Sequence, residues 1–515
     1  MKELNYKKEI KILEGEGFFG GSVAQGIRMP ITAKSEYFQD FREKCQGNAF
    51  NGLFISNFGR VLITNGEYNI TAKDGILTLK ASKEVLYFET EERTLKSAHK
   101  KAMSLAFEED EVDIPKDLLL YPQFCTWTEM LTHVTEEKIL NYARSINESG
   151  LPHCLLIIDD GWMKDYGDWD FNPEKFSNPK AMMDELHNLG FKVELWLVPF
   201  VNKNVPDFEL LAKNDALVRG VDGKPALRNW WNGDSYVLDM TNPFAKKWIK
   251  DKLDFYITEY GVDGFKFDAG DTDYYRFDDV TYAPTTPCGQ SYLWSQFAKE
   301  YEYSELRTCF NLCGSHIITR LSDKQRNWSY ECGIGALVPN MIQTGICGYP
   351  FSCADMIGGG VSADFEKEGC EDFEFELISR FCECATLMPS MQFSYAYWNR
   401  NEKVKQLFLK LTALHMSIKD YLSELIDKAK TDFEPILRHI EYEFPHQGYV
   451  EDNSIFMLGS KYLVAPVVNQ GRTTQTVRLP KGCNWQNCND GTIYKGGETV
   501  TVPAPVGTLP YFKKI

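Results

Sequence analysis

No stretch of this 515-residue chain approaches the ~20 consecutive apolar residues that cross a bilayer, which excludes a membrane-spanning helix. The opening residues, MKELNYKKEIKILEGEGFFGG, are basic in places but hold no apolar core of signal-peptide length, so a cytoplasmic protein is expected. The 14 cysteines include no Cys-x-x-Cys pair. Cys154, Cys309 and Cys347 lie inside apolar runs, and the set reads as buried free thiols of a reducing compartment. The eight histidines form no His-x-x-His pair, which removes the usual zinc signature, and no metal or cofactor is expected. No Gly-x-Ser-x-Gly elbow supports serine catalysis. No Gly-x-Gly-x-x-Gly follows the first strand of the central α/β region, so a dinucleotide fold has no support. Basic residues are outnumbered by acidic ones, 56 to 73. The formal net charge of −17 argues against nucleic-acid and anionic-membrane partners and favours a neutral ligand.

What the chain does hold is arranged in three textures. Residues 1–112 read as short alternating strands. In GRVLITNGEYNITAKDGILTLKAS, Asn65-Gly66 and Asp74-Gly75 predict two hairpins of a β-sandwich. Residues 113–425 alternate apolar runs with amphipathic stretches. The runs are 155–158, 193–198, 264–267 and 345–351, and the stretches include NPKAMMDELHNLGF and NPFAKKWIKDKLDFYITEYG. That rhythm over ~300 residues predicts a (β/α)8 barrel or a doubly wound sheet. Residues 426–515 return to alternation with Gly and Pro breaks, a small C-terminal sandwich. Nothing in the composition opposes assembly into a homo-oligomer.

Acidic residues recur where the apolar runs end. Asp159 and Asp160 follow Leu155-Leu-Ile-Ile158, Asp268 and Asp271 follow Gly264-Phe-Lys-Phe267, and Asp355 follows Tyr349-Pro-Phe-Ser-Cys-Ala354. In a barrel those strand ends open on one face, where active sites sit. Two converging carboxyl groups suit glycoside hydrolysis with retention. They also suit a Mg2+ site. Residues two apart in a strand share a face, so Lys266 should lie beside Asp268 and hold it ionised, repelling a divalent cation. A structural salt bridge accounts for the pair equally well.

At GFKFDAGD the chain resembles glycoside hydrolase family 31, in wording nearest a branch that contains an α-galactosidase. The blocks IIDDGWM, ELWLVPF, NWWNGDSYVLDMTNP, GYPFSCADMIGGG and MQFSYAYW resemble the family's other barrel motifs in order and spacing. YLVAPVV with RLPKGCNW resembles its C-terminal sandwich. The resemblance implies a (β/α)8 barrel and an α-glycosidase acting on a small α-linked glycoside or oligosaccharide. Asp268 is then the nucleophile. The family's usual Trp-x-Gly-Asp is absent, and Arg320-Leu-Ser-Asp323 stands in its place, with Arg307 sixteen residues before Asp323. Asp323 is therefore the expected acid/base and Glu331 its fallback. Asp159, Asp160, Trp196, Trp231, Lys266, Arg307, Asp355 and Trp398 are the expected substrate-binding residues. Asp271 and Asp273 are expected to cap or solvate the loop after the fourth strand. An α-glucosidase or α-xylosidase, or a sugar-binding homologue without activity, stands as the alternative.

Overall fold

The computed structural model describes residues 3–42, 47–106 and 113–515. Eight parallel strands form one sheet: β1 (Gln123–Cys125), β2 (Leu155–Ile158), β3 (Lys192–Leu197), β4 (Gly264–Phe267), β5 (Tyr303–Leu306), β6 (Ile318–Arg320), β7 (Ser352–Cys353) and β8 (Gln392–Phe393). Their spatial order runs from β7 back through β1 to β8. A parallel bridge between Met356 and Gln392 brings the chain after β7 beside β8, so the sheet nearly closes. This is the (β/α)8 barrel.

The two quoted amphipathic stretches begin as their residues dictate. Asn178 and Asn242 each turn a side-chain oxygen back to a backbone N–H, and a proline follows at the first helical position. The helices span Pro179–Asn188 and Pro243–Phe255. The apolar run 345–351 behaves differently. Its first residues end the helix Leu337–Ile346, and Gly348 turns the chain at φ +81° toward β7. A short apolar run buried on all sides does not distinguish a strand from a helix end.

The N-terminal module packs a four-stranded sheet against a five-stranded one. Asp74-Gly75, with φ +51° and +73°, joins the antiparallel pair Tyr68–Lys73 and Ile76–Ala81 as expected. Asn65-Gly66 makes no hairpin. Its flanking strands, Arg60–Thr64 and Tyr68–Lys73, belong to different sheets. The core of this sandwich is continuous with that of the barrel. The C-terminal sheets have a smaller core of their own around Trp485 and Phe512. All 13 described cysteines are free thiols, with Cys154, Cys309 and Cys347 buried, while Cys45 lies outside the described residues. Among the described residues no helix is long and apolar enough to cross a membrane.

A buried ion pair fastens the C-terminal part to the barrel. On the helix Phe375–Thr386, Arg380 donates to Glu383 at 2.7 Å and to the carbonyls of Arg472 and Ala504 at 2.7 and 2.8 Å. Glu383 in turn accepts from the Gly507 N–H at 2.6 Å. Arg380→Met leaves Glu383 buried and unpaired, and is expected to lower unfolding free energy by about 3–5 kcal/mol. Arg380→Met with Glu383→Leu should recover part of that loss. Urea titration followed by tryptophan fluorescence measures both, and a double variant weaker than the single would contradict the account.

Candidate active site

Strand β4 sets the centre of the site. Phe265 and Phe267 face outward onto the rings of Trp294, Phe297 and Tyr301, so the residues between and after them face the barrel interior. Gly264 has no room for a side chain, since a Cβ there would sit 1.6 Å from the Tyr303 carbonyl oxygen. The ladder ends where the Asp268 N–H donates to the Leu197 carbonyl. The chain then turns sharply through Ala269 and Gly270, at φ +53° and +75°. A Cβ on Gly270 would strike Trp294 at 2.2 Å, so the position requires glycine.

Asp268 is largely enclosed by donors, with its side chain 12% exposed. Its Oδ1 accepts from Arg307 Nε at 2.7 Å and from the Ala269 N–H at 2.8 Å. Among the described residues its Oδ2 accepts only from Trp196 Nε1, at 3.0 Å. Burial works to raise the carboxyl's pKa, but Arg307, Lys266 and Arg320 outweigh it and hold the group well below the usual carboxylate range.

The direct partner of Lys266 differs from the expected one. Its Nζ reaches Asp159 Oδ2 at 2.6 Å, while Arg307 takes the place beside Asp268. Residues 266 and 268 share the interior, but successive rungs lie at different heights. Lys266 therefore meets the end of β2, and Asp268 meets the side chain that follows β5. Lys266 still acts on Asp268 through space.

Asp160 sits next to Asp159 and accepts from Tyr166 at 3.0 Å and from Asn232 at 2.9 Å. Burial, then repulsion from Asp159, pushes its carboxyl up to about 7. Asn232 comes from a three-stranded antiparallel sheet in the excursion between β3 and β4. The same excursion buries Trp230 and leaves Trp231 47% exposed at the rim, 5.6 Å from the Arg307 guanidinium.

Asp271 is a correction. Expected to cap or solvate a loop, it is buried and pairs with Arg307 at 2.6 and 3.1 Å, with Thr308 donating at 2.9 Å. A guanidinium with five donors is shared between two carboxylates, which is why Arg307 holds both in place.

Strand β6 ends in Arg320, which binds Glu305 at 3.0 Å and both Asp323 and Asp355 at 2.8 Å. Asp323 projects into the cavity with its side chain 38% exposed. Asp355 does not line the cavity. It accepts from Arg320 and from the Lys324 N–H at 2.7 Å, so it braces the loop that carries Asp323. Trp398 is also displaced from its expected role. It packs on Phe124, Phe393 and Tyr142 and donates to Ser145, in the core behind the strands. Glu331 is exposed and away from the cavity.

One cavity of about 890 Å³ collects Asp159, Asp160, Trp196, Trp231, Lys266, Asp268, Arg307 and Asp323 from the expected set. Arg320, Asp271, Asn232, Trp127 and His133 line it too and were not foreseen as site residues. Asp271 was legible in the Asp-Ala-Gly-Asp spacing. Trp127 and His133 follow β1, which is only three residues long and carries no strand signal.

The sequence profile of the glycosyl hydrolases family 31 TIM-barrel domain matches residues 119–425, and that of the family's C-terminal domain matches 433–514. The myogenesis-regulating glycosidase of Mus musculus is 33% identical over 400 residues, covering 76% of this chain and 56% of that protein. The isomaltosyltransferase of Sporosarcina globispora is 27% identical over 387 residues, covering 68% of this chain and 34% of that protein. The chain thus spans about half or less of these relatives. In structure it resembles the Flavobacterium johnsoniae dextranase complexed with glucose, with a TM-score of 0.85 at 20% identity, covering 99% of this chain and 66% of that one. A family 31 α-xylosidase from a soil metagenome, complexed with xylose, superposes with a TM-score of 0.84 at 19% identity, covering 99% and 79%. The chain belongs to glycoside hydrolase family 31.

Proposed function

We propose that this chain is a retaining α-glycosidase whose glycone is α-linked galactose. One observation carries the reading: Asp268 and Asp323 line the same cavity in opposite settings. Asp268 is enclosed and held ionised by cations, while Asp323 stands on the more open wall. A nucleophile needs the first setting, and a group that exchanges protons with a leaving oxygen and then with water needs the second.

In the first step an Asp268 carboxylate oxygen bonds to the anomeric carbon. The bond to the leaving oxygen breaks, and that oxygen takes the proton of Asp323. Oδ2 is the attacking atom, because it accepts a single hydrogen bond whereas Oδ1 accepts two. In the second step Asp323 takes a proton from water, whose oxygen bonds to the anomeric carbon and releases Asp268. Arg320 divides one positive charge among Glu305, Asp323 and Asp355 and so fixes where the Asp323 carboxyl stands.

The cavity's charge favours a neutral sugar. Its three lysine and arginine side chains, Lys266, Arg307 and Arg320, are each already paired with carboxylates. Among the described residues no lysine or arginine of the lining is left over to neutralise a sulfonated or uronic glycone. Asp159 and Asp160, beside Trp196, are the proposed partners of sugar hydroxyls. The resemblance of GFKFDAGD supports galactose. Bacillus thermoamyloliquefaciens alpha-glucosidase 2, 23% identical, keeps glucose as the second reading. The free thiols support a reducing compartment such as the cytoplasm.

Release of aryl leaving groups from a panel of α-glycosides tests the glycone. Turnover of the galactoside is expected, and turnover of the glucoside or xyloside alone would reject the choice. A 2-fluoro or cyclophellitol-type inhibitor should add its mass to the peptide carrying Asp268. Asp268→Asn should lower kcat by on the order of 10^4-fold or more. Asp323→Ala should lose turnover of alkyl glycosides. An activated aryl glycoside, whose leaving group needs no proton, should still give its first release, but the second step, which needs Asp323 as base, should slow, and added azide should restore turnover. Arg307 lowers the pKa of Asp268, so Arg307→Met should raise it. Activity on the activated substrate would then fall at a higher pH as the solution is acidified. An unmoved acid limb in that pH profile would contradict the pairing.

A further inference from the structure

The N-terminal module meets the cavity wall at Gly47, with Asn48 buried next to it. The Gly47 carbonyl accepts from Arg307 Nη1 at 2.9 Å. Asn48, fully buried, meets Ser322 twice: its Nδ2 donates to Ser322 Oγ at 2.8 Å, and its Oδ1 accepts from the Ser322 N–H at 2.9 Å. Two residues further on, Phe50 forms a parallel bridge with Phe310, its N–H donating to Cys309 and its carbonyl accepting from Asn311.

These contacts fall on two separate barrel segments. One follows β5 and carries Arg307. The other follows β6 and carries Asp323, one residue after Ser322. The barrel itself leaves the Ser322–Asp323 turn held from beneath by Arg320 and Asp355. Asn48 holds it from the side, and its two bonds fix both the position and the rotation of that peptide.

Gly47 has its own constraint. Its φ of +64° suits glycine, and a Cβ there would lie 2.3 Å from Arg307 Nη1 and 3.4 Å from Asp271 Oδ1. Arg307 is pinned on its other side by Asp268 and Asp271, so it has no room to give way.

We propose that Gly47 and Asn48 form a positioning element, Gly47 for the arginine that steadies the nucleophile and Asn48 for the loop of the acid/base. The proposal rests on the reading of Asp268 and Asp323 given above. It makes the N-terminal sandwich part of the catalytic apparatus. Its continuous core with the barrel supplies the rigidity such a role requires.

The two residues should fail in different ways. Asn48→Ala frees the acid/base loop, so turnover of an alkyl glycoside, which needs the proton, should fall by about 10- to 100-fold. The first-turnover release from an activated aryl glycoside, and the rate of labelling at Asp268 by an activated 2-fluoro glycoside, need no proton and should stay within about twofold. Ser322→Ala breaks only one of the two bonds and should give the same signature at smaller size, so it carries the test if Asn48→Ala does not fold. Gly47→Ala displaces Arg307 and should slow both substrates and the labelling together. A purely structural role would lower the melting temperature and reduce both substrates in equal proportion. If the wild type labels at Asp268 while the Asn48 and Ser322 variants lose both substrates equally, or neither, the positioning role is overturned. If the wild type neither labels nor turns over any α-glycoside, the active-site reading falls, and the positioning role with it.

Discussion

Three buried cations compensate the carboxylates inside the barrel, and the geometry of the site depends on them. Lys266 answers Asp159, Arg307 answers Asp268 and Asp271, and Arg320 answers Glu305, Asp323 and Asp355. An isolated charge taken out of water costs several kcal/mol, so each cation and its carboxylate partners are buried at less cost together than apart. Each pair also fixes direction. A guanidinium presents its donors in a plane, and a carboxylate that accepts from it loses its freedom to rotate. Asp160 has no such cation in contact and is the carboxyl whose environment lifts it toward neutrality.

The rest of the chain keeps these pairs dry and in register. The short strands β1, β7 and β8 contribute little ladder of their own, and the barrel closes through a single bridge beyond β7. Stability at that seam comes from the surroundings. The helix Phe375–Thr386 is fastened to the C-terminal part by Arg380, and the N-terminal sandwich shares its core with the barrel. Both flanking modules therefore act on the same problem, which is to hold strand ends that backbone pairing alone would leave loose.

Much of this was legible in order and type. The runs 155–158 and 264–267 are strands as expected, the proline-headed helices start where Asn178 and Asn242 cap them, and Asp74-Gly75 turns a hairpin. The failures have physical reasons. Asn65-Gly66 joins two sheets, because a turn dipeptide specifies a bend and not which strands pair across it. Residues 345–351 end a helix, because burial on every side erases periodicity. Asp355 and Trp398 follow strand ends in sequence yet point away from the cavity, one under the Ser322–Asp323 turn and one into the core.

By itself the sequence determined which residue types stand at the ends of the barrel strands, since alternation within a strand dictates the interior face and the strand's last residue opens toward the mouth. The partners were decided only in three dimensions. Lys266 pairs with Asp159 and Arg307 with Asp268, because the height and stagger of neighbouring strands set which side chains meet. Asn48 and Ser322 touch across 274 positions of chain. No local pattern encodes such a contact, which exists only because the sandwich core and the barrel core pack as one.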